Sequence, residues 1–297
     1  MSWNPKVPSA SRASRRLGYY DRGATPYFAS RMDQRFSYCL YVPRDYDEDG
    51  GERLDLIVVI HGTARWAEPY RDAFADFAEE KRAIILAPLF PAGMTAPGEL
   101  SSYKLLRQGG IAYDLVLLDM VAEIGERYRL RSDRFLLHGF SGGGHFTHRF
   151  LYLHPEKLLG VSIGAPGIVT LLDFERDFWV GVRDFEELFG KPIDLAAIRK
   201  VAVHMVIGAE DTETWEIRLT PKDSWWMDGA EQLAEANRLE RMAALRKSLE
   251  RHGIRVEQDM VAGVGHDGRA IVEPVKQWFA KMLSASREKY AALPPRP

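Results

Sequence analysis

Short apolar runs, each ended by Gly, Pro or a charge, alternate along the chain with longer stretches of helical spacing. Residues 54–60 (LDLIVVI) and 201–207 (VAVHMVI) are nearly continuous apolar runs rich in β-branched side chains. That pattern predicts strands buried on both faces of a parallel sheet. Residues 83–87, 135–137 and 159–163 read the same way. Residues 35–42 (RFSYCLYV) and 255–261 alternate polar and apolar, as half-buried strands do, and residues 17–20 suit an opening strand. Helical spacing covers 68–82, 111–128, the stretch after Ser141 up to His154, 229–252 and 270–283, with Gly253 capping the fourth. Strands alternating with helices predict an α/β fold: a mostly parallel central sheet with helices on both faces. In such sheets chemistry gathers at the carboxyl ends of the strands. The loops after Ile60, Leu137, Ile207 and Val261 all begin there.

Three segments break the alternation. Residues 170–198 hold Phe174, Phe178, Trp179, Phe185 and Phe189 among many acids and read as an inserted lid. Residues 212–228 carry Trp215, Trp225 and Trp226 on an aromatic loop. Residues 89–110, rich in Gly and Pro, form a long loop beside a strand end, a common place for function. Residues 1–16 read as a flexible arm ahead of one domain over residues 17–290, and the proline-rich tail from residue 293 as loose.

The most informative stretch is Gly139-Phe140-Ser141-Gly142-Gly143, which fits G-x-S-x-G between a strand and a helix. A serine on so tight a turn points its hydroxyl out of the sheet's end, and glycines leave room around it. The helix that follows aims N–H groups and its positive end at any oxyanion forming nearby. This turn resembles the nucleophile elbow of the α/β-hydrolase superfamily. Gly139 to Gly144, with the short His61-Gly62-Thr63 loop, looks most like the feruloyl-esterase and polyhydroxyalkanoate-depolymerase-like branch. The triple-glycine loop of some other esterases is missing.

The resemblance implies a triad in the chain order Ser, acid, His, and Ser141, Asp211 and His266 stand in that order. A serine hydroxyl needs a base to take its proton, and the base needs an acid to orient it. His266 lies in a glycine-rich loop before the last helix, and Asp211 follows a strand in the pattern strand-Gly-x-x-Asp, with Glu210 the alternative acid. The resemblance also assigns the oxyanion donors to the backbone N–H groups of Thr63 and Gly142. His61, His138 and His204 read as structural.

Composition narrows the partners. Net charge is -2, from 40 basic against 42 acidic residues, which gives no electrostatic case for nucleic acid or an anionic membrane. No apolar run reaches membrane-spanning length. The single cysteine, Cys39, rules out an internal disulfide and favours a reducing compartment, so a cytoplasmic location is expected. No cofactor motif is present, and His145 and His148, spaced to share a metal, have no evident third ligand, so neither metal nor cofactor is expected. Trp66, Trp179, Trp215 and Trp225 are candidates to bind an apolar or aromatic substrate group, and Arg65 to pair with a substrate carboxylate.

The chain therefore reads as a serine hydrolase of carboxylesterase or amidase type, cleaving a small ester or amide through an acyl-enzyme. An acyltransferase, a C–C hydrolase or lyase, and a non-enzymatic ligand-binding protein are the alternatives on the same fold.

Overall fold

The computed structural model describes residues 16–223, 225–234 and 236–291. The expected N-terminal arm, apart from Arg16, and the tail from residue 293 lie outside those residues.

At the start of the described chain, Gly18 donates its N–H to the Asp21 carboxylate at 2.6 Å. This local closure makes a 3-10 turn at Tyr19–Asp21 where an extended strand is expected. Two short strands, β1 (Gly23–Ala24) and β2 (Phe28–Ala29), then pair antiparallel with β3 (Ser37–Val42). β4 (Asp55–Ile60) is buried at every position, as its unbroken apolar run requires. The expected helix 68–82 is two helices, α1 (Ala67–Asp72) and α2 (Ala75–Lys81). Between them Phe74 is fully buried, its ring 6.2 Å from that of Phe279 and 6.1 Å from that of His138. Packing of that one ring overrides local helical preference.

The chain continues through β5 (Ala83–Leu89), a small hairpin of β6 (Arg107–Gln108) and β7 (Ile111–Ala112), and helix α3 (Tyr113–Arg127). Then come β8 (Phe135–Phe140), α4 (Gly142–Leu153) and β9 (Leu158–Gly164). Short helices α5 (Phe185–Phe189) and α6 (Leu195–Ile198) lie between β9 and β10 (Ala202–Gly208). The expected helix 229–252 is also divided, into α7 (Glu231–Ala234) and α8 (Arg238–Arg251). Asn237 caps α8, accepting from Glu240 N–H while the Glu240 carboxylate accepts from Asn237 N–H. That reciprocal pair starts a new helix. β11 (Val256–Val261) and α9 (Val272–Ala291) close the described chain.

The main sheet runs β1-β3-β5-β4-β8-β9-β10-β11, with β2 beside β3. From β5 to β11 all pairs are parallel, and β3 pairs antiparallel with each of its neighbours β5, β1 and β2. β4 and β8 are central and adjacent, so their C-terminal loops, carrying His61 and Ser141, come together. The segment between β9 and β10 is anchored to α4. His145 and His148 accept the backbone N–H groups of Ile168 and Thr170 at 3.0 Å each, and Arg149 Nε donates to Thr170 Oγ1 at 2.9 Å. Farther along, Phe178, Phe185 and Phe189 pack on one another. No helix among the described residues is long and apolar enough to cross a membrane.

Candidate active site

Ser141 sits between β8 and α4 with φ 56° and ψ −116°. A non-glycine residue there carries on the order of 1–3 kcal/mol of strain. The surroundings hold it: Ser141 N–H donates to Gly164 O at 2.9 Å, and its carbonyl accepts from His145 N–H at 3.1 Å. The flanking glycines are required by close approach. A Cβ on Gly139 would overlap the Gly143 carbonyl oxygen, and one on Gly143 would overlap that of Ile60. Only bare backbone lets α4 descend this close to β4 and β8.

Asp211 and His266 meet across the ends of β10 and β11. The carboxylate Oδ2 lies 2.6 Å from His266 Nδ1. Asp211 is 1% exposed. Its other oxygen, Oδ1, accepts from Arg238 Nη1 at 3.3 Å, and Arg238 Nη2 donates to Glu216 at 2.7 Å. The two loops are laced together by backbone: Ala209 N–H donates to Val261 O at 2.9 Å and Glu210 N–H to Val264 O at 2.8 Å. Glu210 offers its backbone here, and Asp211 its carboxylate. In the sequence Arg238 carries no more signal than its place in a charged helix.

The His266 ring lies against Phe140, centroids 4.6 Å apart, which brings it to the residue preceding Ser141. No hydrogen bond joins the Ser141 hydroxyl to His266 among the described residues. An imidazole held through Nδ1 by a buried carboxylate presents Nε2 as a base.

On the other flank, the Thr63 hydroxyl and Lys104 Cε both lie 3.0 Å from the point where a Cβ on Gly142 would stand, and the Tyr103 hydroxyl would overlap it. Thr63 and Gly142 thus border one small space beside Ser141. His61 shapes it from below. Its Nε2 accepts Phe90 N–H at 3.0 Å, so Nδ1 carries the proton donated to Gly62 O at 2.8 Å. Burial pulls its pKa down to about 4, which keeps it neutral. Tyr103 donates to the His61 carbonyl at 3.2 Å. Tyr103 and Lys104 come from the long 89–110 loop; the sequence marks the loop and not these residues.

The candidate substrate-binding side chains are spread out. Arg65 places its three donor nitrogens on the backbone carbonyls of Phe90, Thr63 and Leu100, and its guanidinium lies 5.1 Å from the Tyr103 ring centre. Trp179 is buried, its N–H donating to Trp225 O at 2.9 Å and its ring 6.3 Å from that of Trp225. Trp66 and Trp215 are exposed. His138 and His204 are fully buried and each contacts the Ser162 hydroxyl, at 3.2 and 2.9 Å.

No protein-family model and no curated protein matches the chain. Solved structures do. A poly(aspartic acid) hydrolase from Sphingomonas sp. KT-1 superposes with a TM-score of 0.65 at 21% identity, covering 82% of this chain and 92% of that one. A poly(3-hydroxybutyrate) depolymerase from Bordetella parapertussis gives 0.65 at 22% identity, over 87% of this chain and 90% of that one. An S-formylglutathione hydrolase from Staphylococcus aureus gives 0.57 at 14% identity, over 87% and 97%. With its parallel sheet, its strained serine turn and these likenesses, the chain has the α/β-hydrolase fold.

Proposed function

We propose that the protein is a serine hydrolase that cleaves a small carboxylic ester through an acyl-enzyme. The observation that carries this is the 2.6 Å contact between buried Asp211 and His266, formed beside a serine held at φ 56°. In this reading His266 Nε2 takes the Ser141 proton as Oγ attacks the carbonyl carbon. Asp211 keeps the imidazole oriented and stabilises the imidazolium. The Thr63 and Gly142 N–H groups receive the developing oxyanion, a contribution of about 3–4 kcal/mol for each such donor. His266 then protonates the leaving alcohol. Water, activated by the same imidazole, attacks the acyl-enzyme and releases the acid. The similar structures lend support, since they are named as a poly(aspartic acid) hydrolase, a poly(3-hydroxybutyrate) depolymerase and an S-formylglutathione hydrolase. Of the four candidate tryptophans, Trp66 and Trp215 are exposed and have surface free to meet an apolar group.

The test is turnover of p-nitrophenyl acetate by the wild-type protein and by Ser141→Ala. The variant is expected to lose at least about four orders of magnitude in kcat. Undiminished turnover by the variant would remove Ser141 from the mechanism.

A further inference from the structure

A buried cation lies beside the elbow with no ion-pair partner among the described residues. Lys104 is 8% exposed, and among the described residues its ammonium has one acceptor, Ser101 Oγ at 3.2 Å, and no carboxylate in ion-pair contact. A buried ammonium normally finds a carboxylate or gives up its proton. Arg65 and Arg149 face it as like charges, and Glu99 and Glu216 offset them only from a distance. The next groups inward also hold donor atoms without acceptors among the described residues. Arg149 is fully buried; Nη1 donates to the Lys104 carbonyl at 2.6 Å, and Nη2 has no partner among the described residues. His145, one helical turn before Arg149, accepts through Nε2 and leaves its buried Nδ1–H unpartnered among them. Donors and positive charge therefore exceed acceptors on this flank of the site. Lys104 Cε is 3.0 Å from the Cβ position of Gly142, so the ammonium end of the side chain stands beside the expected oxyanion donor.

We propose that Lys104 heads a carboxylate-binding subsite at this flank, and that the preferred substrate is an ester bearing a free carboxylate a short reach from its scissile carbonyl. The proposal rests on the serine-hydrolase reading above. Arg65, whose nitrogens already serve backbone carbonyls, helps by its charge and not by direct contact. A bound carboxylate would satisfy the ammonium, and its own desolvation would be offset by the surrounding cations. Burial pulls Lys104 down to about 8, so the ammonium is mostly charged at neutral pH and is lost in mildly alkaline solution.

Two anionic esters test this, mono-p-nitrophenyl glutarate with its carboxylate on the acyl side and 3-acetoxybenzoate with it on the leaving side. Each is paired with a neutral ester of matched size. The wild-type protein should favour at least one anionic ester over its neutral partner by about tenfold or more in kcat/KM. That ratio should fall toward one in Lys104→Met. It should also fall in the wild-type protein between pH 7 and pH 9, which needs no variant to fold. A ratio near one for both pairs, a ratio unchanged in Lys104→Met, or a ratio flat with pH overturns the subsite. A protein that turns over none of the esters and takes no fluorophosphonate label instead overturns the hydrolase reading beneath it.

Discussion

Ser141 is the residue where backbone strain coincides with the proposed chemistry, and its neighbours divide the work of holding it. Asp211 has one oxygen on His266 and the other on Arg238. Asp211→Asn would leave the geometry and remove the charge that fixes the imidazole tautomer. Steady-state kinetics on an ester should then show kcat lower by about 10⁴-fold. A loss below tenfold would mean that Asp211 does not orient the base. Arg238 is 3% exposed, and its removal would leave the Asp211 charge buried with one partner fewer. Arg238→Ala should cost about 3–5 kcal/mol in urea unfolding; an unchanged midpoint would show that the pair contributes nothing. Ser141, Asp211 and His266 were legible as candidates in the sequence because each sits at the predicted end of a strand in a recognisable turn. Lys104 and Arg238 were not, since a buried cation looks the same in sequence as a surface one. Only the fold shows what lies around it.

At the scale of elements, the strands could be read from apolar runs and the helices only in outline. Strands of the parallel core have few alternatives once every position is buried, as in β4. Helix breaks follow from tertiary packing, as at Phe74, or from caps, as at Asn237 with Glu240, a pair visible in the sequence as N-x-x-E. The inserted segment was legible as aromatic and acidic; its attachment to α4 through two imidazoles was not. His148 bridges the pieces, donating from Nδ1 to Gly144 O at 2.8 Å and accepting from Thr170 N–H at 3.0 Å. His148→Phe fills the space and leaves Thr170 N–H buried without an acceptor, at a cost of about 1–3 kcal/mol. Hydrogen exchange should show the amide of Thr170 losing protection more than those of β8. Equal protection in variant and wild type would contradict the anchoring role.

The molecule as a whole carries its histidines mostly inside. Burial pulls His61 down to about 4, His138 and His148 to about 3, and His145 well below its ordinary value of 6.5. In the unfolded chain these groups take protons near their ordinary value, so acid favours unfolding before the folded protein binds any. Each contributes a loss of about 1.4 kcal/mol per pH unit below about pH 6.5. Urea midpoints should therefore be level above pH 7 and fall steeply between pH 6 and pH 4.5. A flat profile over that range would mean that the imidazoles are not held neutral by burial. The same interior places the ends of β4, β8, β10 and β11 along one rim, and the whole account depends on the hydroxyl at that rim being reactive. The most direct measurement is intact and peptide mass spectrometry after exposure to a fluorophosphonate. The account predicts a single adduct on the peptide containing Ser141, absent from Ser141→Ala and formed far more slowly in His266→Ala. An unlabelled Ser141 in the folded wild-type protein, or an adduct formed equally fast without His266, would contradict it.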